Sequence, residues 1–447
     1  MTTQRRSAWH AATAATRSAA RFGTRLGTRR AMRLGTRRAM RLGARCAIRL
    51  GARRAATLGA VLAVAALAAL AAHAGGIGSR VFVVERESGS LAVYDFVERE
   101  LREQRIAGLG DLRHATMIFS PDLRYGYLAT RSGQLSRIDL ATLERSGTAF
   151  TSESSIDNAI SQDGRSIAVA EYVPGGLTLL DAESLEVLKR HPARFEIDGA
   201  SATSRVTGVV DAPGNRFVCV LIEAAEIWIV DASRPDFPIR HRIKTSQGSP
   251  YDAMITPDGR YYVVGHLQSD RVSVLDLARP EAGVREVSLR DPARDYDKAM
   301  PVKLPHLASW AVAGSWIFVP LVGEDRLAVL DRASFGFARS IPLRGHPVYA
   351  VRSPTEREVW VSFSGEADDA YVQVIDVEQL AVTDTLRLGR RIYHMDFTPR
   401  GAHVLVSANA DGKLLLVDAA TREVEHEVEL ASPSGIFGAW RAFRIGL

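Results

Sequence analysis

Residues 119–140, FSPDLRYGYLATRSGQLSRIDL, determine the fold, because variants of this stretch return along the chain. Two clear copies are ITPDGRYYVVGHLQSDRVSVLDL (residues 255–277) and FTPRGAHVLVSANADGKLLLVDA (residues 397–419). Each copy contains a turn, an apolar strand, a polar or glycine-rich hairpin, and a second strand that ends in Asp. The closing aspartates recur at Asp95, Asp139, Asp181, Asp231, Asp276, Asp331, Asp376 and Asp418.

The spacing of these aspartates predicts the architecture. Successive positions are separated by 44, 42, 50, 45, 55, 45 and 42 residues. That period fits four short antiparallel strands per repeat, which is the blade of a β-propeller. We therefore expect an all-β chain, an eight-bladed β-propeller of four-stranded antiparallel blades, preceded by a cleaved signal segment. The aspartates themselves are interpreted as structural caps of the turn between strands three and four of each blade.

The net charge of +6 is distributed unevenly. Residues 1–74 contain 15 Arg, no Lys and no acidic residue, whereas the chain from residue 75 onward has 42 Lys and Arg against 51 Asp and Glu, a charge of −9. A nucleic-acid-binding domain needs a basic face of its own. The acidic balance of the body therefore argues against a nucleic-acid partner.

The N-terminal region predicts export. Residues 58–72, LGAVLAVAALAALAA, form an apolar run that follows Arg53 and Arg54 and precedes the small-x-small pattern Ala72-His73-Ala74. This order is typical of a cleavable signal peptide, and the run is shorter than the roughly 20 residues of a membrane span. We expect residues 1–74 to be an Arg-rich leader and signal peptide, and residues 75–447 to be a periplasmic propeller. Both Sec-type and twin-arginine export stay open, as does a translation start at Met32 or Met40.

Strand order in a propeller brings polar residues together. The first strand of each blade lines the central channel, so the entries to the first strands and the hairpins between strands two and three share one face. Five of the nine histidines after residue 74 map to that face: His114, His266, His306, His346 and His394. Such a concentration predicts a ligand cup at the mouth of the ring. Histidines around one axis suit either a metal ion or haem iron.

Several motifs at this face resemble those of the NirF family of exported haem d1 biosynthesis proteins. They are GDLRHATMIFSPDLRYGYLATRSGQLSRIDL, PYDAMITPDGRYYVVG, VKLPHLASWAVAG, and the terminal ASPSGIF and RIGL. The resemblance covers nearly all of residues 80–447. That family is in turn similar to the d1-haem domain of cytochrome cd1 nitrite reductase and to the c-haem-bearing dehydrogenase NirN.

The resemblance implies roles for particular residues. His114 matches the proximal iron ligand of d1-binding propellers, so it is the expected metal ligand, and Arg131 matches an arginine that pairs with the macrocycle's carboxylates. His306 matches a distal histidine, and His394 and Asp252 fall in family motifs; we take these three as candidate catalytic residues. His306 and His394 could donate to ring carbonyls or transfer protons near neutral pH.

A carboxylate-bearing tetrapyrrole also needs cations at the rim of its pocket. Six basic residues map near the mouth: Arg113, Arg131, Arg205, Lys303, Arg390 and Arg391. Of these we expect Arg113, Arg131, Lys303 and Arg391 to bind the cofactor. Two departures from the family pattern are also present: Ala308 or Ser309 replaces an acidic residue, and Phe443 replaces a histidine.

Three functions follow from the resemblance. The first is a role in haem d1 biosynthesis in which the protein binds haem d1 or a late precursor non-covalently and takes part in its conversion. The second is a non-catalytic carrier that delivers haem d1 to cytochrome cd1 nitrite reductase for denitrification. The third, a nitrite reductase or metal scaffold, is disfavoured because the sequence contains no C-x-x-C-H for a c-type haem. Expected partners are other haem d1 maturation proteins and the reductase, and a homodimer stays open.

Overall fold

The computed structural model describes residues 76–245, 248–267, 269–294 and 310–445. The leader predicted for residues 1–74 lies outside these ranges, and so do Lys303 and His306. The described residues form 34 strands and four short 3-10 helices. The 3-10 helices are Ile77–Ser79, Pro280–Ala282, Asn409–Asp411 and Ala439–Phe443.

The strands follow one another in groups that match the sequence repeat. In chain order they are β1 (Arg80–Glu85), β2 (Ser90–Asp95), β3 (Glu100–Leu101), β4 (Ala115–Phe119), β5 (Tyr125–Thr130), β6 (Gln134–Asp139), β7 (Glu144–Phe150), β8 (Ser154–Ile160), β9 (Ser166–Val173), β10 (Gly176–Asp181), β11 (Val187–Pro192), β12 (Arg194–Ile197), β13 (Ala200–Thr203), β14 (Val206–Ala212), β15 (Arg216–Leu221), β16 (Glu226–Asp231) and β17 (Ile239–Lys244). They continue with β18 (Pro250–Ile255), β19 (Tyr261–His266), β20 (Arg271–Asp276), β21 (Val284–Ser288), β22 (Ala311–Ala313), β23 (Trp316–Leu321), β24 (Arg326–Asp331), β25 (Phe337–Pro342), β26 (His346–Arg352), β27 (Glu358–Ser364), β28 (Tyr371–Asp376), β29 (Ala381–Arg387), β30 (Ile392–Phe397), β31 (His403–Ala408), β32 (Lys413–Asp418), β33 (Val424–Glu429) and β34 (Pro433–Gly438).

These strands form eight four-stranded antiparallel sheets, and the sheets are the blades of a ring. Blades 2 to 5 are β4–β7, β8–β11, β14–β17 and β18–β21, and blades 6 to 8 are β22–β25, β26–β29 and β30–β33. The predicted eight-bladed β-propeller is therefore confirmed. We call the face that carries the first-strand entries the mouth face, and the opposite one the far face.

Blade 1 combines the two ends of the propeller. Its sheet has the order β3-β2-β1-β34, so the last strand of the chain is its innermost strand. Phe82 of β1 pairs with Phe437 of β34, and the backbone N–H of Ala431 donates to Glu85 Oε1 at 3.0 Å. This pairing closes the ring and leaves no open inner edge in blade 1.

Burial explains the strand patterns. The middle strands are mostly apolar and are buried along much of their length, because neighbouring blades cover both of their faces; in β2 and β5 every residue is buried. The outermost strand β29 alternates exposed and half-buried residues, because one of its faces meets solvent. Trp228 and Trp360 are fully buried between blades. Packing of this kind gives each blade a core only through its neighbours.

The repeating aspartates have the structural role that the sequence predicted. Each ends the third strand of its blade, and in all eight the Oδ1 atom accepts backbone N–H groups of the next turn. Asp139 Oδ1, for example, accepts from Ala141 N and Thr142 N, both at 2.9 Å. These carboxylates are therefore caps of the turns.

One irregular spacing has a structural cause. The 50-residue interval between Asp181 and Asp231 contains an extra two-stranded ribbon, β12 and β13, between blades 3 and 4. Ile197 at its turn is 52% exposed, so the ribbon adds little to the core. Among the described residues, no helix is long and apolar enough to cross a membrane.

Candidate functional site

A cavity of about 510 Å³ opens at the mouth face on the axis of the ring. Among the described residues, the innermost strands of seven blades contribute to its wall: β34, β4, β8, β14, β18, β26 and β30. Its size is in the range of small-molecule sites, which span roughly 300–1,000 Å³. We call it the mouth cavity, and its position is the one predicted from the first-strand entries.

His114 lies in the cavity wall at the entry to β4. Its Nδ1 atom is shielded from solvent and has no hydrogen-bond partner among the described residues. Burial lowers the pKa of the ring, Asp157 raises it, and Arg131 and Arg86 lower it further. The imidazole is therefore neutral near pH 7, the form that ligates metals. A buried polar atom that lacks a partner is where a ligand can supply the missing contact.

His394 lies deeper in the same cavity and is held in one tautomer. The backbone N–H of Ile436 donates to its Nδ1 at 2.7 Å, so the ring proton is on Nε2. Burial, with a smaller effect of Arg441, lowers the pKa of His394 to about 3. The ring can donate a hydrogen bond, as predicted. Because its pKa is far below neutral, the ring is neutral at pH 7, and its role in proton transfer stays a prediction.

An arginine and a tyrosine form one side of the mouth. The Arg86 guanidinium lies 4.0 Å from the centre of the Tyr393 ring and donates to the Tyr393 hydroxyl. Its Nη2 also donates to the carbonyl of Arg113 at 2.7 Å. Both side chains line the cavity, together with Tyr349, whose ring centre is 4.9 Å from that of His394. This side therefore offers aromatic faces and a fixed positive charge, which suit a planar anion.

Acidic and amide groups lie on the opposite side of the wall. Asp157 is buried, and its Oδ2 accepts from Thr207 Oγ1 at 3.0 Å and from Gly208 N at 2.9 Å. Asp252 is also buried and lines the cavity. The wall thus contains both signs of charge, and Asp252 is placed in the cavity as predicted.

Arg131 lies beside the cavity and not in its wall. Its guanidinium is 4.8 Å from the centre of the Tyr172 ring, and that of Arg205 is 5.5 Å from the same ring. Arg205 also pairs with Glu223 at 2.6 Å. Arg131 is near enough to lower the pKa of His114, so its charge acts on the site from its edge.

The structure separates other predicted residues from the cavity. Arg113 is 82% exposed and pairs with Asp111 at 2.6 Å, and Arg390 pairs with Asp411 at 2.6 Å. His266 is fully buried inside blade 5 with Nε2 at 2.7 Å from Ser273 Oγ, and His346 is exposed with Nδ1 at 2.9 Å from Asp325. From sequence position these side chains were predicted to face the axis. That prediction is wrong for them, because side chains at a strand end can point to either face of the sheet.

Arg391 does line the cavity. It is exposed, has a positive φ of 52°, and makes no ion pair with the described residues. Its binding to a ligand carboxylate stays a prediction. Lys303 and His306 lie outside the described residues.

The wall residues that sequence reasoning missed include Arg86, Tyr349 and Arg441. Arg86 had a usable signal, because it is the first residue after the second strand of blade 1, as Arg131 is in blade 2. Arg441 had none, because it follows the last repeat and reaches the axis only through the closure of blade 1.

The donor set fits a planar, carboxylate-bearing metallo-ligand. His114 supplies a neutral imidazole with an unused nitrogen, and Arg86 and Arg391 supply cations at the rim. Aromatic rings of Tyr349, Tyr393 and Phe437 supply flat apolar contact. Imidazole is a common axial ligand of haem iron, and arginine pairs well with carboxylates.

Comparison with known proteins identifies the family. The model of the Cytochrome D1 heme domain family matches residues 78–442. The chain belongs to this family. It is 40% identical to Protein NirF of Pseudomonas aeruginosa over 372 residues, which is 83% of this chain and 94% of that protein. It is 38% identical to Protein NirF of Stutzerimonas stutzeri over 390 residues, which is 86% of this chain and 99% of that protein.

More distant relatives share the fold. A dihydro-heme d1 dehydrogenase of Pseudomonas aeruginosa is 29% identical over 335 residues, which is 72% of this chain and 64% of that protein. The solved structure of dihydro-heme d1 dehydrogenase NirN in complex with DHE superposes with a TM-score of 0.70 at 23% identity, covering 82% of this chain and 77% of that one. Apo AztD from Citrobacter koseri superposes with a TM-score of 0.57 at 13% identity, covering 80% of this chain and 96% of that one. Both structures support the propeller fold.

Proposed function

We propose that this protein acts in haem d1 biosynthesis in the periplasm, where it binds a late iron tetrapyrrole precursor of haem d1 non-covalently in the mouth cavity and takes part in its conversion. The family and the NirF and dihydro-heme d1 dehydrogenase relatives support a role in this pathway. The other haem d1 maturation proteins and cytochrome cd1 nitrite reductase are the proposed partners.

One observation carries the proposal. The Nδ1 atom of His114 is buried at the wall of an axial cavity and has no partner among the described residues. An unpaired buried nitrogen is costly in an apo protein, by about 1–3 kcal/mol, unless a ligand completes it. An iron tetrapyrrole held here would place its metal at the His114 imidazole, and the carboxylates of its macrocycle would pair with Arg86 and Arg391.

The test is a titration of the purified protein with haem d1, followed by absorption spectroscopy. His114→Ala is expected to weaken binding roughly tenfold to a hundredfold, which corresponds to about 1.5–3 kcal/mol, and to remove the spectral signature of an imidazole ligand. Arg391→Gln should weaken binding without changing that signature, because its guanidinium contacts a carboxylate and not the metal.

His346→Ala is the matched control. His346 also begins a first strand at the mouth face, but it is exposed and pairs with Asp325. Binding and spectrum should equal those of the wild type. A wild-type spectrum and affinity in His114→Ala would show that another residue ligates the iron, and would remove the basis of the proposal.

A non-catalytic carrier is the second candidate, and His394 favours it. Burial lowers the pKa of His394 to about 3, so this ring is a poor proton acceptor near pH 7. Incubating the protein with the dihydro precursor and an electron acceptor, and following the product by mass spectrometry, separates the two candidates. Multiple turnovers would support conversion, and recovery of unchanged ligand that transfers to the reductase would support a carrier.

A further inference from the structure

A second cavity of about 260 Å³ lies on the axis at the far face. Its wall is built by residues of β18, β22, β26 and β30 and by four residues that follow the closing strand β34: Arg441, Phe443, Arg444 and Ile445. His394 and Arg441 line both this cavity and the mouth cavity, so they separate the two. We call it the far cavity.

Three arginines meet in the far cavity: Arg352, Arg441 and Arg444. Among the described residues, Asp396 is the one carboxylate in its wall. Arg441 Nε donates to Asp396 Oδ2 at 3.1 Å, and the two side chains are 10% and 2% exposed. This buried pair gives Arg441 a carboxylate partner.

Arg444 has little compensation. Its Nη1 is 3.7 Å from Asp396 Oδ1, beyond hydrogen-bond distance, and its guanidinium makes no hydrogen bond to the described residues. Burial lowers the pKa of Arg444, Asp396 raises it, and Arg441 and Arg352 lower it. Arg352 Nη1 donates to Glu356 at 2.9 Å, and Glu356 lies outside the wall. Three positive charges therefore face two negative ones, and the planar donors of Arg444 remain open.

Apart from His394, the rest of the wall is apolar. Met254, Trp310, Met395 and Ile445 contribute to it, and Phe443 stands at the opening, where it is 71% exposed. Guanidinium groups recognise oxyanions through paired N–H donors, and apolar walls retain a carbon skeleton. Inorganic phosphate would bind to the guanidinium donors but would make no use of the apolar walls.

We propose that the far cavity binds a small organic carboxylate, with Arg444 as the main contact to its oxygen atoms. Binding there does not depend on what the mouth cavity holds. Because Arg441 and His394 belong to both cavities, the bound anion would lie directly beneath the floor of the mouth cavity.

The experiment uses the whole protein at low ionic strength, where charge pairing is screened least. Benzoate and inorganic phosphate are titrated separately by isothermal calorimetry, and quenching of tryptophan fluorescence reports on Trp310. Benzoate should bind more tightly than phosphate. Arg444→Gln should weaken benzoate binding about tenfold or more, and Arg444→Lys, which keeps the charge without the planar fork, should weaken it less.

Arg400→Gln is the matched control, because Arg400 is exposed in the turn between β30 and β31 at the same face and does not line the cavity. It should bind benzoate as the wild type does, and far-UV circular dichroism should be equal for all variants. Tighter binding of phosphate than of benzoate would contradict the proposal that the ligand is an organic carboxylate. Absence of binding in the millimolar range, or equal affinity of Arg444→Gln and wild type, would overturn the site.

Discussion

At the scale of single residues, the axis of the ring controls the protonation of its side chains. His394 has its Nδ1 atom bonded to the Ile436 N–H and is enclosed by Tyr349 and Phe437. Just beyond it, Asp396 and Arg441 form a buried ion pair with each other. A neutral donor and a buried ion pair thus lie side by side, and each has consequences for stability.

His394 predicts a loss of stability in acid. Its pKa is about 3 in the folded protein, whereas the ordinary value is 6.5. Between these values the unfolded chain binds a proton that the folded chain does not. The free energy of unfolding is therefore not reduced by this group above pH 6.5, and it falls as the pH decreases below that value. From pH 7 to pH 4.5 the loss should be about 2–3 kcal/mol from this group.

Urea unfolding of wild type and His394→Gln at both pH values measures this loss. The drop in unfolding free energy should be smaller in the variant by that amount, because glutamine does not titrate. His346→Gln, at an exposed position, should change the drop little. Equal drops in wild type and His394→Gln would show that the folded protein accepts the proton.

At the scale of strands and turns, the repeated aspartates stabilise each blade locally. Their carboxylates accept N–H groups two or three residues further on, which fixes the turn into the fourth strand. The pKa of Asp139 is lowered, chiefly by the N–H of Thr142. Charge-assisted bonds of this kind stabilise turns that lie at the surface.

Asp139→Ala should therefore lower the free energy of unfolding by about 1–2 kcal/mol. Denaturant titration would show a lower midpoint with an unchanged slope. Asp236→Ala is the control, because Asp236 is 61% exposed and its Oδ1 atom lies 3.4 Å from Nε of Arg234. Its effect should stay within about 0.5 kcal/mol, and a similarly small effect of Asp139→Ala would contradict the capping role.

Local features of this kind are what the sequence predicts well. The closing aspartates and the number of blades follow from contacts within a few residues and from a regular period. His114, Asp252, His394 and Arg391 were also found in the wall of the mouth cavity, where their roles stay predictions. Arg113, His266 and His346 were not, because whether a side chain at a strand end faces the axis depends on twist and on ion pairs with distant residues. Arg441 needed the closure of the ring, which no local pattern encodes.

At the scale of the whole molecule, the ring depends on one strand from the end of the chain. β34 supplies the inner strand of blade 1, lines the mouth cavity and leads into the residues that line the far cavity. Without it, Val81, Phe82 and Val83 of β1, all fully buried, would lose their inner neighbour. An apolar strand with an open edge is prone to aggregate.

Removal of residues 432–447 should therefore yield insoluble or aggregated protein. The control is a permuted chain in which the same residues precede residue 76, so that β34 comes directly before its partner β1. Since the 3-10 helices Ala439–Phe443 and Ile77–Ser79 are in contact, a short link can join the two segments. By light scattering, the permuted protein should be soluble and of the same size as the wild type. A truncated protein that is equally soluble and compact would contradict closure by β34.

The pairing of the last strand with the first also determines when the ring can close during synthesis of the chain. Glu85 and Ala431, which meet across the seam, are 346 positions apart in the chain. At the roughly 5–20 residues per second of protein synthesis, about 17–70 s separate their appearance. Throughout that interval blade 1 lacks its inner strand. The ring can therefore close only in a chain that includes β34. A chain that is cut short by a nonsense codon or a protease cannot pair β34 with β1, and it stays exposed to degradation.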